Sequence, residues 1–362
     1  MAEPQKPRKR IASAVILFSL TALVILGSFA GAAGVHAAGN PLWQPVLQAH
    51  DRFLLALGQN RIGDVCITKE RLLQILPQPA QDAASKAAQA INTFAEQTDV
   101  PVYLLAVPTS AGIYSDTLPE SAPLVNEHTF LQGAEGLANL LSDQVHWIEA
   151  ESWLASEKDQ YIYYRTDPCW TSFGAYCAYR SAIRKLGFTA VGYDRFSVTH
   201  FSSDYYGRLA DEICYYETQP DLVDLYTCSD GPQEITVTVR RPDGREQFDS
   251  YYRTDAADAA KHPENVYFAA SEPVLRIETA YQNSKDLLLL CDDFGAAMIP
   301  FLLQHYHIVD TVNLELAGDI DWRSMTNGTY SQILILCGAD TVIAEDGLAT
   351  MLAVPEQITQ ES

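Results

Sequence analysis

Four short apolar runs set the limits of the fold: PVYLLAV at 101–107, LLLLC at 287–291, HIVDTVNL at 307–314 and QILILCG at 332–338. HIVDTVNL aside, their apolar character is nearly continuous rather than alternating, which marks strands buried on both faces. Between them lie segments of helical composition, among them DAASKAAQAINTFAEQ at 82–97, a stretch at 131–141 and another from Gly295, and a further strand is expected at 145–148. Strands that alternate with helices predict an α/β domain built on a doubly wound parallel sheet. From 196 to 279 the texture turns aromatic and turn-rich; ITVTV at 235–239 alternates with period two, and PDG at 242–244 marks a turn. This segment predicts an antiparallel β insertion over the sheet's edge or mouth, dividing the core domain of residues 60–352. A composition of 48% hydrophobic and 19% charged residues supplies enough apolar surface for such a core.

Residues 11–33, IASAVILFSLTALVILGSFAGAA, carry no charge over 23 positions. At 1.5 Å per residue that run spans a hydrocarbon core of about 30 Å. Lys6, Arg8, Lys9 and Arg10 precede it, so residues 1–10 are expected on the cytoplasmic side and the rest of the chain outside. The run exceeds the apolar core of an ordinary signal peptide, which favours a retained single-pass transmembrane anchor, with cleavage after Ala37 as the alternative. Residues 34–59 then form a linker and lead-in helix, RIGDVCIT at 61–68 an exposed strand or hairpin, and residues 353–362 a loose tail. The formal net charge of −22 includes that basic terminus. The body is therefore more acidic still, and nucleic acid is excluded as an expected partner because nothing basic is left to displace counterions from phosphates.

Seven cysteines leave at least one unpaired, and Cys214 and Cys228, which flank one short segment, form the pair most expected to bridge. The alternative is that most are small buried hydrophobes. No Cys-x-x-Cys spacing occurs, so no structural metal and no cofactor are expected.

In open α/β sheets ligands sit beyond the carboxyl ends of the strands. Three segments are candidates for that place: 107–110 (VPTS), 167–171 (DPCWT) and 292–295 (DDFG). Each also fits a helix cap, since Ser, Thr and Asp satisfy free backbone donors there. His200, in THFSSDYYGRL, is a candidate base or an ordinary loop residue. The tyrosines at 161–164, 205–206 and 251–252 serve equally well as sugar-stacking faces or as sheet filling.

Taken together, YIYYRTDPCWTSFGAYCAY and LLLLCDDFGAAMIPFLLQHYHIVDTVNL resemble the DHHW proteins of Gram-positive bacteria, relatives of SGNH-hydrolase-like alginate O-acetyltransferase domains. Tyr164, Arg165, Thr166, Asp167, Trp170, Thr171, Gly174, Ala175 and Tyr176 match the first family pattern. Asp292, Pro300, Phe301, Leu302, His305 and Tyr306 match the second. The resemblance implies an SGNH-like fold and a catalytic set in which an Asp orients a His that activates a Ser. Here Asp167 is kept, but Cys169 occupies the His position, Asp293 the Ser position, and Pro168 replaces the first His of the name motif. Loss of both base and nucleophile removes most of a triad's rate. Asp167, Cys169 and Asp293 are thus the ancestral catalytic positions, expected inactive, and Tyr164, Arg165, Trp170, Thr171 and Asp292 are expected to line a retained binding groove. The implied role is binding or scaffolding in envelope polysaccharide assembly, the partner being a cell-surface polysaccharide or an envelope-assembly membrane protein. The alternatives are an esterase or O-acetyltransferase using non-standard residues, and a structural envelope protein with a vestigial groove.

Overall fold

A computed structural model describes residues 44–352, apart from 120, 121, 233, 282–284, 319, 327, 345 and 346. The expected membrane anchor at 11–33 and tail at 353–362 lie outside the described residues. Among those described, no helix is long and apolar enough to cross a membrane.

The chain opens with a helix, Gln44–Ala56, and a three-stranded antiparallel sheet of β1 (Arg61–Ile62), β2 (Val65–Ile67) and β3 (Leu72–Gln74). Val65 and Leu72 are fully buried, so the hairpin is packed rather than exposed as expected. The main sheet contains β4 (Val102–Val107), β5 (Val145–Trp147), β8 (Ile235–Arg241), β9 (Gly244–Phe248), β10 (Val274–Thr279), β11 (Asp286–Cys291), β12 (Ile308–Asn313) and β13 (Gln332–Gly338), in the order β5-β4-β13-β11-β12-β10-β8-β9. The first five in that order are parallel and the last three antiparallel.

The expected all-parallel sheet is therefore corrected to a mixed one. Part of the 196–279 insertion does not lie over the edge but extends it. The junction has a local cause: Arg276 on β10 faces Asp310 on β12 and donates from Nε and Nη2 to its two carboxylate oxygens at 2.9 and 2.7 Å. Asp310 is fully buried, and a bidentate guanidinium satisfies it where a lone charge would be expensive. The rest of the insertion forms a separate ribbon, β6 (Phe196–Tyr205) and β7 (Asp221–Cys228).

Alternate residues of the central strands face opposite layers. Leu105, Leu289, Leu334 and Leu336 pack in the cluster that includes helices Ser172–Lys185 and Phe294–Leu302. Leu104, Leu288, Leu290, Ile333 and Ile335 pack with helix Ala83–Glu96 and the segments after β13. Both faces are covered, as continuous apolar strands require. The helix expected near 131–141 is two short ones, Glu127–Gln132 and Leu137–Leu140. All seven cysteines are free, Cys214 and Cys228 included, and Cys66, Cys177, Cys291 and Cys337 are buried as small hydrophobes.

Candidate functional site

The tyrosine-rich stretch at 161–164 is not a strand of the main sheet. Tyr163 makes a single antiparallel bridge to Trp170, and the Tyr164 and Thr171 amides donate to the Cys169 and Ile162 carbonyls, closing 163–170 into a tight reversal. Asp167 closes it further by accepting from the Cys169 amide at 3.0 Å. Thr171 then caps helix Ser172–Lys185 by accepting from the Gly174 amide at 3.2 Å. Gly174 is required because a Cβ there would collide with the Ile162 carbonyl.

Trp170 brings the two motif segments together. Its indole N–H donates to the Phe294 carbonyl at 2.9 Å, and its ring meets that of Phe294 edge-on at 5.2 Å. The turn bearing Asp167 and Cys169 is thereby fixed beside Asp293, the residue before helix Phe294–Leu302. Asp167, Cys169 and Asp293 line one cleft of about 910 Å³, together with Tyr205, Tyr206, Arg208 and His262.

The other expected groove residues serve the frame. Trp170 is buried at 1% exposure, Tyr164 sits under Tyr205, and Thr171 is a helix cap. Asp292 accepts from the Phe294 amide at 3.0 Å, the Gly338 amide at 2.7 Å and the Thr341 hydroxyl at 2.6 Å, tying the end of β11 to the end of β13. None of these four lines the cleft: Trp170, Thr171 and Asp292 have their polar side-chain atoms committed inside the protein, and Tyr164 is buried. Arg165 lines a different pocket. His200 pairs with Asp224 at 2.6 Å, also away from the cleft.

Electrostatics decide what the cleft can do. Burial pushes the Cys169 thiol well above its ordinary range, and the charges of Asp167 and Asp293 push it further, against a smaller opposing pull from Arg208. A thiol so placed stays protonated at neutral pH and is a poor nucleophile. Burial also raises Asp293, which the amide of Asn313 opposes from 3.4 Å. Asp167 has its carboxylate occupied by the Cys169 amide, the Arg208 amide at 3.0 Å and the Tyr205 hydroxyl at 3.2 Å. Gly207 lies so close that a Cβ would overlap the Asp167 side chain. The carboxylate is a structural acceptor without an imidazole to orient. We expect iodoacetamide at pH 7.5 to modify Cys169 at least about tenfold more slowly than a free cysteine; peptide mass spectrometry checks this, and labelling at the free rate would refute the protonated-thiol account.

Two cleft-lining groups, Arg208 and His262, and one that bonds Asp293, Asn313, carry no motif signal in the sequence. Burial lowers Arg208 but Asp167, Cys169, Asp340 and Asp293 raise it overall, so its guanidinium stays charged among the carboxylates of the cleft. It lies in the SDYYGRL run, where the tyrosines are the more conspicuous feature. His262 lines the cleft from the insertion and lies 3.7 Å from Glu264. Asn313 ends β12, where its side-chain oxygen caps helix Leu314–Ala317 and its amide reaches Asp293. A polar residue closing an otherwise apolar strand is its one available signal. Among the described residues no cluster of His, Cys, Asp and Glu suits a metal ion.

The model of the family described as "DHHW protein" matches residues 141–312. The fold is similar to the crystal structure of a DHHW family protein from Eubacterium siraeum, with a TM-score of 0.67 at 20% identity over 80% of this chain and 96% of that one. It is also similar to Bacillus cereus PatB1, solved with a sulfonyl adduct, with a TM-score of 0.62 at 17% identity over 79% and 97% of the two chains. At these identities the likeness is one of fold. No curated protein sequence matches the chain. The matched segment holds the reversal, the cleft-lining residues and the β insertion, and over it the chain matches the DHHW family.

Proposed function

We propose that the chain is a membrane-anchored, extracytoplasmic protein whose cleft binds envelope polysaccharide or an envelope-assembly partner without performing acyl transfer. The observation that supports this reading is the cleft's content: Cys169 and Asp293, which the family resemblance puts at the positions of base and nucleophile, both line it, and burial holds the Cys169 thiol protonated. Asp167 is saturated by three donors. What remains is a concave surface with tyrosine faces and the Arg208 guanidinium, a combination suited to hydroxyl-rich or acidic ligands. The anchor rests on the uncharged run at 11–33 and its basic flank.

The purified full chain is expected to hydrolyse p-nitrophenyl acetate no faster than a heat-unfolded control and to gain no mass from phenylmethylsulfonyl fluoride. It is expected to be retained on an array of bacterial surface glycans. Absence of retention, together with no partner after envelope crosslinking, would refute the binding reading. Asp293→Ser combined with Cys169→His is expected to raise ester hydrolysis by roughly 10²-fold, the usual contribution of a positioned base.

One observation favours the enzyme as a second reading: His262 places an imidazole in the same cleft as Cys169 and Asp293. If the wild type hydrolyses acetyl esters and His262→Ala abolishes that activity, the second reading replaces the first.

A further inference from the structure

A second pocket, of about 560 Å³, lies where β3 meets the motif reversal, and it is separate from the cleft. Its position follows from one backbone bond: the Leu72 amide donates to the Arg165 carbonyl at 2.7 Å, which sets Arg71 and Arg165 side by side. Arg71 is only 9% exposed, and its guanidinium lies on the face of Tyr114, 3.5 Å from the ring centroid. Among the described residues it has no carboxylate partner, and its buried Nη1 has no acceptor. The buried Nη1 of Arg165 likewise has no hydrogen-bond acceptor. Its guanidinium sits over the Tyr161 ring at 4.3 Å, with Asp221 at 3.7 Å, beyond hydrogen-bond reach. Asp221 is committed elsewhere, accepting from the Arg165 and Thr166 amides and from the Thr166 and Tyr161 hydroxyls.

A buried cation with an unused donor is costly unless an anion meets it. Two guanidiniums held flat against aromatic rings are also preorganised, because little side-chain freedom remains to be lost on binding. At the rim Lys158 and Asp116 neutralise each other across 2.9 Å, while Lys69, Glu70 and Asp159 are exposed and screened by water. Arg165 has Asp221 behind it. The charge left without a carboxylate is that of Arg71, a single positive unit, which a singly charged oxyanion matches and a dianion exceeds.

We propose that the pocket lined by Arg71 and Arg165 is a binding site for a singly charged oxyanion on a sugar-bearing ligand, of the kind a uronate carboxylate or a phosphodiester provides. This goes beyond the cleft reading and does not depend on it, since no residue of the cleft takes part. The forked N–H groups hold the oxyanion, and the Tyr114 and Tyr161 rings beneath them keep the two guanidiniums in place.

The test is calorimetric titration of the detergent-solubilised full chain with glucuronate, glycerophosphoglycerol, inorganic phosphate and glucose. Either or both of the singly charged probes bind more tightly than glucose and phosphate. Glucuronate alone points to a uronic acid polymer, the diester alone to a phosphodiester polymer. Arg71→Met weakens the bound probe by about tenfold or more, the scale of a lost charge-assisted pair, and Arg71→Lys recovers part of that loss. Equal binding of glucose and glucuronate, tighter binding of phosphate than of the diester and glucuronate, or no binding by any probe overturns the proposal. So does unchanged affinity in Arg71→Met. If Arg71→Met does not fold, Arg165→Met takes its place: weakened binding supports the site, and unchanged affinity overturns it, alongside the charged-against-neutral comparison in the wild type.

Discussion

Asp292→Ala is expected to lower stability by about 3–5 kcal/mol, because it leaves two buried amides and a buried hydroxyl without their acceptor. In a domain of this size that corresponds to a fall of roughly 10 °C in Tm. The donors belong to the Phe294 and Gly338 amides and the Thr341 hydroxyl, so the substitution releases the start of one helix and the end of β13 together. The neighbouring Asp293→Ala is expected to change stability by less than about 1 kcal/mol, since that side chain lines the cleft and holds only a long bond from Asn313. Thermal unfolding of both variants gives the comparison. Equal effects at the two positions would mean that the division into a frame aspartate and a cleft aspartate is wrong.

Stability is expected to fall by roughly 3 kcal/mol between mildly acidic and mildly alkaline pH on account of Glu127 alone. The residue is 4% exposed beyond the end of β4, where it accepts from the Thr109 amide and hydroxyl, each at 2.7 Å. Burial is the main cause that raises its carboxyl from 4.5 to about 7; the two Thr109 bonds oppose it, while Asp340 and Glu151 add to it. A carboxyl whose folded pKa lies above its unfolded value binds more protons in the folded state. Its contribution is complete below about 4.5 and is lost as pH rises through about 7. Urea unfolding at pH 5 and pH 8 is expected to show this loss in the wild type and to show it reduced by that amount in Glu127→Gln. Glu315, which also rises to about 7 chiefly through burial, contributes in the same sense in both proteins and cancels in the comparison. Identical pH dependence in the two proteins would count against the assignment.

The parallel half of the sheet was legible because a strand buried on both faces must be apolar at every position, and Leu287–Leu290, like Ile333–Leu336, satisfies that without ambiguity. ITVTV was legible as a strand by its alternation, but its partner was not. That partner is β10, with Val239 opposite Leu275, and β10 is itself held to β12 by an ion pair between Arg276 and Asp310, which are 34 positions apart. The convergence of Asp167, Cys169 and Asp293 on one cleft agrees with the resemblance read from their motifs. The rest of the expected groove does not, and the reason is chemical. Trp, Tyr and Thr fill a core or cap a helix with the same atoms they would use on a ligand, and nothing local in the sequence states which way they face. Arg208 and His262 were missed for the opposite reason: they lie in the insertion, where only the fold brings them to the cleft.

The indole bond from Trp170 to Phe294 spans 124 positions of the chain. A fragment that stops before residue 294 therefore contains every residue that lines the cleft, but lacks the carbonyl that receives the Trp170 indole and the helix that follows Asp293. As the chain emerges from the ribosome, the reversal and Asp293 cannot be fixed side by side until the segment after β11 has arrived and docked. That docking is a late, long-range event, limited by loop closure across the entire insertion.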